Sequence, residues 1–127
     1  MKEAMRREML DMRQALSRQS VQRDSEAITQ RLLSLSCVQS AQVIMTYSAI
    51  KNEPDMWSLT YTLLDMGKHV ALPRVTADGL IAAEYRRDTK LDKGAYGIPQ
   101  PVMEPDDMPA QPDLVIVPGV VFDLQGC

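Results

Sequence analysis

This 127-residue sequence is poor in aromatic side chains, with one tryptophan, one phenylalanine and four tyrosines. It holds one histidine, His69, and two cysteines, Cys37 and Cys127, far apart in the chain. Two separated cysteines form neither a metal cluster nor a disulfide framework. A lone histidine supplies no spaced metal-ligand set, and no Ser-His-Asp arrangement can be built around it. The glycine patterns of a dinucleotide fold or a P-loop, GxGxxG and GxxxxGK[ST], do not occur. No apolar run approaches the roughly 20 residues that cross a bilayer. The start, MKEAMRREML, lacks the apolar stretch of a secretory signal. A cytoplasmic protein without membrane partners is expected.

What is present is an ordinary globular mixture, with 45% apolar and 24% charged residues. The length suits one domain spanning residues 1–127. Net charge is −3, which argues against a nucleic-acid binder. The cations are nevertheless concentrated at the start, in Lys2, Arg6, Arg7, Arg13, Arg18, Arg23 and Arg31, while Glu104, Asp106, Asp107 and Asp113 lie late. A basic start on an acidic chain suggests a local anion site. Nine methionines suggest a plastic core, with Cys37 as a small core residue.

Apolar periodicity predicts a helix over 2–16, with Met5, Met9, Met12 and Leu16 on one stripe. Lys2, Arg6 and Arg13 share an adjacent stripe, where cations can edge a buried face and reach a cleft. A solvated amphipathic helix accounts for the same pattern. A second helix is expected over 18–35, capped by Ser17 or Ser20, with Val21, Ile28, Leu32 and Leu35 facing the core. The period then changes. QVIMTY at 42–47 reads as a buried strand. A turn over Lys51–Asp55 leads into a helix that Asp55 caps and Gly67 ends. Strands follow at 69–73 and 79–85, joined by a tight turn at Thr76–Gly79. Residues 86–112 carry five prolines and read as loop. DLVIV at 113–117 is the clearest strand. The order predicts an α/β fold with a mainly parallel sheet.

Ligands of such sheets bind at the carboxyl ends of the strands. Three segments leave strands there: Ser48–Glu53, Pro73-Arg74 and Pro118–Asp123. Glu53 suits a carboxylate that holds a donor-rich ligand, and equally one that complements a helix dipole. Lys2 and Arg6, one turn apart, suit an oxyanion. Asp123 suits a Mg²⁺ ligand or a plain turn residue. His69 reads as a packing or surface residue.

Several segments, in order, resemble the 5-formyltetrahydrofolate cyclo-ligase (methenyltetrahydrofolate synthetase) family. They are Lys2-x-x-x-Arg6, Tyr47-Ser48 with Asn52-Glu53-Pro54-Asp55, Leu72-Pro73-Arg74, YGIPQP at 96–101 and DLVIVPGVVFD at 113–123. The resemblance covers essentially the whole chain and rests most on the last two segments. It implies an ATP- and Mg²⁺-dependent ligase that converts 5-formyltetrahydrofolate to 5,10-methenyltetrahydrofolate, ADP and phosphate. The implied chemistry is phosphoryl activation of the formyl oxygen, then attack by the other folate nitrogen. Positioning and cations carry such a transfer. By position, Lys2, Glu3, Ala4, Met5 and Arg6 would line the ATP site. Ser48 and Glu53 would sit on the folate, Glu53 accepting from the pterin, and the YGIPQP loop would shape the cleft. The implied fold is Rossmann-like and three-layered, and the full-length family is expected to be monomeric.

In that family the chain runs on after FD-x-x-G into a basic, glycine-rich loop that wraps the ATP phosphates and supplies Mg²⁺ ligation. This sequence ends at Gly126-Cys127. The expectation is therefore a partial domain, incomplete at the C-terminus, with very weak or no turnover. Its last strand would lack neighbours and leave apolar surface exposed. The alternative is a non-catalytic remnant that binds nucleotide or folate, or a subunit completed by another chain.

Overall fold

The computed structural model describes residues 2–94, 97–120 and 124–125. Its first element, α1 (Lys2–Gln14), closely matches the predicted helix. None of its described residues is buried, however, so its apolar stripe does not face the core: Met5, Met9, Met12 and Leu16 are all exposed. Helix α2 (Arg18–Ser34) is capped by Ser17, whose hydroxyl oxygen accepts from the Ser20 N–H at 3.1 Å. The inward face of α2 differs from the apolar reading. Ser25 and Thr29 are buried, while Ile28 and Leu35 are exposed. Ser25 turns inward because its hydroxyl accepts from the Asp55 N–H at 2.8 Å, a bond that ties α2 to a distant turn. A short helix, α3 (Ser36–Ser40), follows. It buries Val38, not Cys37, which is exposed rather than a core residue.

Strand β1 (Val43–Met45) begins the sheet. Helix α4 (Trp57–Asp65) runs back across it. The Asp55 carboxylate accepts from the Trp57 N–H at 2.8 Å, but the cap position itself falls one residue later, on Met56, which makes no side-chain cap bond. Gly67 stops α4 with φ +84. Its N–H bonds the Leu64 carbonyl while Lys68 N–H reaches Leu63, the paired closure that a left-handed glycine allows.

Strands β2 (His69–Thr76) and β3 (Gly79–Tyr85) form an antiparallel hairpin through the expected turn. Strands β4 (Leu91–Lys93) and β5 (Pro99–Pro101) pair antiparallel inside the segment read as loop. Pro99 and Pro101 hid this pairing. Ladder bonds fall on Ile98 and Val102, so the prolines take the alternate positions, where the ladder asks for no N–H. Strand β6 covers Leu114–Val115, shorter than the DLVIV run.

The main sheet has the order β3-β2-β1-β6, with β1 parallel to both β2 and β6. This is the mixed, mostly parallel α/β sheet flanked by helices that the sequence predicts. Asp113 fixes the start of β6, its two carboxylate oxygens accepting from the N–H groups of Gln42 and Val43 at 3.2 Å. The core lies between β1, β2 and the helices α3 and α4, where Ile44, Leu59, Leu63 and Val70 are fully buried. Thr60 sits among them and donates to the Met56 carbonyl at 2.8 Å. Its proton being committed, the Thr46 hydroxyl must donate to Thr60 across 3.0 Å, which satisfies both buried groups. Among the described residues, no helix is long and apolar enough to cross a membrane.

Candidate functional site

Because β1, β2 and β6 run parallel, their carboxyl ends share one edge of the sheet. A cavity of about 360 Å³ opens there, within the range of small-molecule sites. Tyr47 and Ser48 enter it from the end of β1, Pro73 and Val75 from β2, and Pro118 from beyond β6. Leu80 joins from β3, and Ile98, Pro99 and Gln100 close it from the small second sheet. Ile50 and Glu53 form the remaining wall. Among the described residues the lining is chiefly apolar, with four polar side chains: Tyr47, Ser48, Glu53 and Gln100. Such a surface suits a flat ring whose edge carries hydrogen-bonding groups.

Each polar group is held by a partner. Ser48 is buried and its hydroxyl donates to the Pro99 carbonyl at 3.2 Å, leaving its oxygen lone pairs as acceptors. Glu53 is half-buried and accepts from the Ile50 N–H at 3.0 Å, which leaves acceptor sites on the carboxylate. Gln100 is buried, and its Oε1 accepts from the Val75 N–H at 3.2 Å. That clasp bonds the second sheet to β2. Arg74 strengthens it, donating to the Pro101 carbonyl at 2.9 Å and approaching Asp92 at 3.3 Å. Tyr47 donates to the Pro54 carbonyl at 3.0 Å. Burial pushes the Tyr47 phenol up to about 12, Glu53 and Asp55 add to the rise, and Arg13 opposes it.

Ser48 and Glu53, assigned to one ligand from the sequence, therefore line one cavity. Ile98, Pro99 and Gln100 of the YGIPQP segment join them. Tyr96 and Asp123 lie outside the described residues, as does Cys127. Lys2, Glu3, Ala4, Met5 and Arg6 are exposed on the first turns of α1 and are not in the cavity wall. It is the other end of α1 that meets the site. The Arg13 Nε donates to the Lys51 carbonyl at 3.0 Å, three residues before Pro54 in the same turn as Glu53. At 1.5 Å rise per residue, Arg6 stands about 10 Å and Lys2 about 16 Å along the helix from Arg13. Sequence reasoning placed Arg13 on the basic stripe but gave no sign that it touches the Glu53 turn.

A slightly larger cavity, about 400 Å³, lies among Glu84, Arg86, Asp88, Thr89 and Met103. Register pairs Glu84 with Ala71 near the start of β2, so this cavity is at the opposite edge from the parallel strands' carboxyl ends. It contains none of the candidate residues. His69 also lies at that edge, exposed, 3.2 Å from Glu84.

The model of the 5-formyltetrahydrofolate cyclo-ligase family matches residues 1–127. The structure is similar to the 5,10-methenyltetrahydrofolate synthetase of Aquifex aeolicus solved by NMR, with 30% sequence identity and a TM-score of 0.86. That likeness covers 98% of this chain and 64% of the Aquifex chain, so this chain spans under two thirds of its length. A 5,10-methenyltetrahydrofolate synthetase from Mycoplasma pneumoniae is similar at 25% identity and a TM-score of 0.56, over 66% of this chain and 53% of that one. No curated protein matches.

Proposed function

Given that the chain belongs to the 5-formyltetrahydrofolate cyclo-ligase family, we propose that it binds 5-formyltetrahydrofolate in the cavity between Ser48 and Glu53. There it serves the ATP-dependent closure to 5,10-methenyltetrahydrofolate. The observation that carries this reading is the single cavity in which Ser48, Glu53 and the Ile98–Gln100 segment meet. A pterin edge is rich in N–H donors, and the acceptor sites left on the Glu53 carboxylate suit them. Ile50, Val75, Leu80 and Pro118 offer the ring faces apolar contact. The prolines and the Gln100 clasp hold this wall in place before a ligand arrives, which lowers the ordering cost of binding.

Lys2 and Arg6 are exposed cations one turn apart on α1, a donor pair that fits phosphate oxygens. ATP, when bound, supplies the phosphoryl group that makes the formyl oxygen a leaving group. Among the described residues no three His, Cys, Asp or Glu side chains gather as a metal site. Asp123, the residue that the sequence offers to Mg²⁺, lies outside them.

The test is calorimetric titration of 5-formyltetrahydrofolate into the wild-type chain and Glu53→Gln. The amide retains an oxygen for the Ile50 N–H, so the turn survives while the charge is lost. The expected loss of affinity is about ten- to a hundredfold. Equal affinity of the two proteins overturns the reading. Following methenyltetrahydrofolate absorbance with ATP and Mg²⁺ then separates turnover from the second reading, binding alone.

A further inference from the structure

Lys51 and Asn52 are the two non-glycine residues with positive φ among the described residues, at 51° and 62°. They are adjacent, and they lie between Ile50 and Glu53, which close the turn through the bond from Ile50 N–H to the Glu53 carboxylate. Left-handed backbone at ordinary residues persists only where surroundings impose it. Here the end of α1 imposes it. The two Asn52 Nδ2–H groups are shared among three carbonyls, of Arg13 at 2.9 Å, Leu16 at 3.2 Å and Gln14 at 3.3 Å. Arg13 and Gln14 end α1 and Leu16 lies just past it, where helical carbonyls run out of intrahelical partners; the Arg13 carbonyl also takes the Leu16 N–H at 3.2 Å. Arg13 answers by donating from Nε to the Lys51 carbonyl. One joint thus caps α1 and shapes the turn that presents Glu53.

We propose that Asn52 is a positioning residue through which the C-terminal end of α1 and the Glu53 wall of the cavity are ordered together. The carbonyls it binds lie more than 35 residues away in sequence, so the joint is tertiary. α1 has no fully buried residue, and only Leu10 and Arg13 on it are partly covered. The Arg13 Nη1 is buried without a hydrogen-bond partner in the same joint. Ordering Glu53 on a ligand fixes the turn, and fixing the turn fixes the C-terminal end of α1, the end opposite Lys2 and Arg6.

Amide hydrogen exchange on the 127-residue chain tests this in two arms. Without ligand, wild type is compared with Asn52→Gly, which keeps the left-handed turn and removes the donor, and with Asn52→Asp, which keeps the shape and replaces the donor by an acceptor. Exchange at Ile50, Ala15 and Leu16 should quicken about tenfold or more in both variants, with Ile44 and Val70 unchanged as a check on the core. If the helix end loosens and Ile50 does not, Asn52 is only a helix cap and the proposal fails. The second arm rests on the folate reading above. Saturating 5-formyltetrahydrofolate should slow exchange at Ala15 and Leu16 severalfold in wild type and leave them unchanged in Asn52→Gly. Binding that leaves the wild-type helix end unaffected overturns the coupling while sparing the binding site. Absence of binding overturns the folate reading, and the first arm still decides the joint.

Discussion

The Tyr47 hydroxyl, on the cavity wall, donates to the Pro54 carbonyl across 3.0 Å, one residue from Glu53. This bond needs the proton that titration removes. Burial first, then the charges of Glu53 and Asp55, push the phenol up to about 12. A folded-state pKa above the unfolded value, about 10, means that the neutral form is the one folding favours. The stabilisation is complete below about pH 10 and is lost between about 10 and 12 as the unfolded chain releases its proton first. Urea denaturation at both ends of that window should show a loss on the order of 2 kcal/mol. Tyr85 is also pushed up, by burial and then by the neighbouring Tyr61. Tyr47→Phe should therefore flatten part of the slope and leave the remainder.

Gly94 lies beside Gln100, and a Cβ added there would overlap the Gln100 carboxamide. Gly94→Ala is expected to push Gln100 off the Val75 N–H. Losing this part-buried hydrogen bond costs about 1 kcal/mol. The chain should lose about that much stability in denaturant titrations, and folate affinity should fall with it because Gln100 is part of the cavity wall. An unchanged urea midpoint would show that the clasp has other ways to close.

Leu63 is wholly buried between α4 and the sheet, whereas Met66, at the end of the same helix, is 48% exposed. Leu63→Ala should destabilise by roughly 2–5 kcal/mol through lost contacts and a residual void. Met66→Ala should stay within about 0.5 kcal/mol. Thermal and chemical denaturation of the pair test the position of the core directly.

Arg6→Ala is expected to weaken ATP binding about tenfold, since one charge-assisted contact is removed. Folate affinity should remain at its wild-type value, because Arg6 is remote from the cavity wall. Equilibrium binding of each ligand, measured separately, distinguishes the two effects. Loss of both, or of neither, contradicts the assignment of the first turns of α1.

The elements that could be read from sequence are those whose local signals agree. Gly67 marks the end of α4, Ser17 the start of α2, and the Thr76–Gly79 turn the β2–β3 hairpin. The β4–β5 pair escaped because proline content is read as a bar to pairing, while register decides which N–H groups matter. The inward face of α2 escaped for a related reason. Ser25 is buried by a hydrogen bond to a turn 30 residues away, which no periodicity of apolar residues encodes. At the site, Ser48 and Glu53 were legible through family resemblance and position after a strand. Asn52 and Arg13 were visible as residues, but their joint depends on a tertiary contact between the end of α1 and a left-handed turn.

The main sheet is lopsided in a way that constrains any larger assembly. On its β3 flank, the Ala110 N–H already takes the Ala82 carbonyl at 2.8 Å, so that border is partly stitched shut by the chain itself. On the other flank, β6 is the terminal strand among the described residues, and Val115 and Val117 face solvent. Growth of this sheet therefore has a direction. An additional strand, from whatever polypeptide, meets an open border beside β6 among the described residues and a partly closed one beside β3, so accretion proceeds outward from β6.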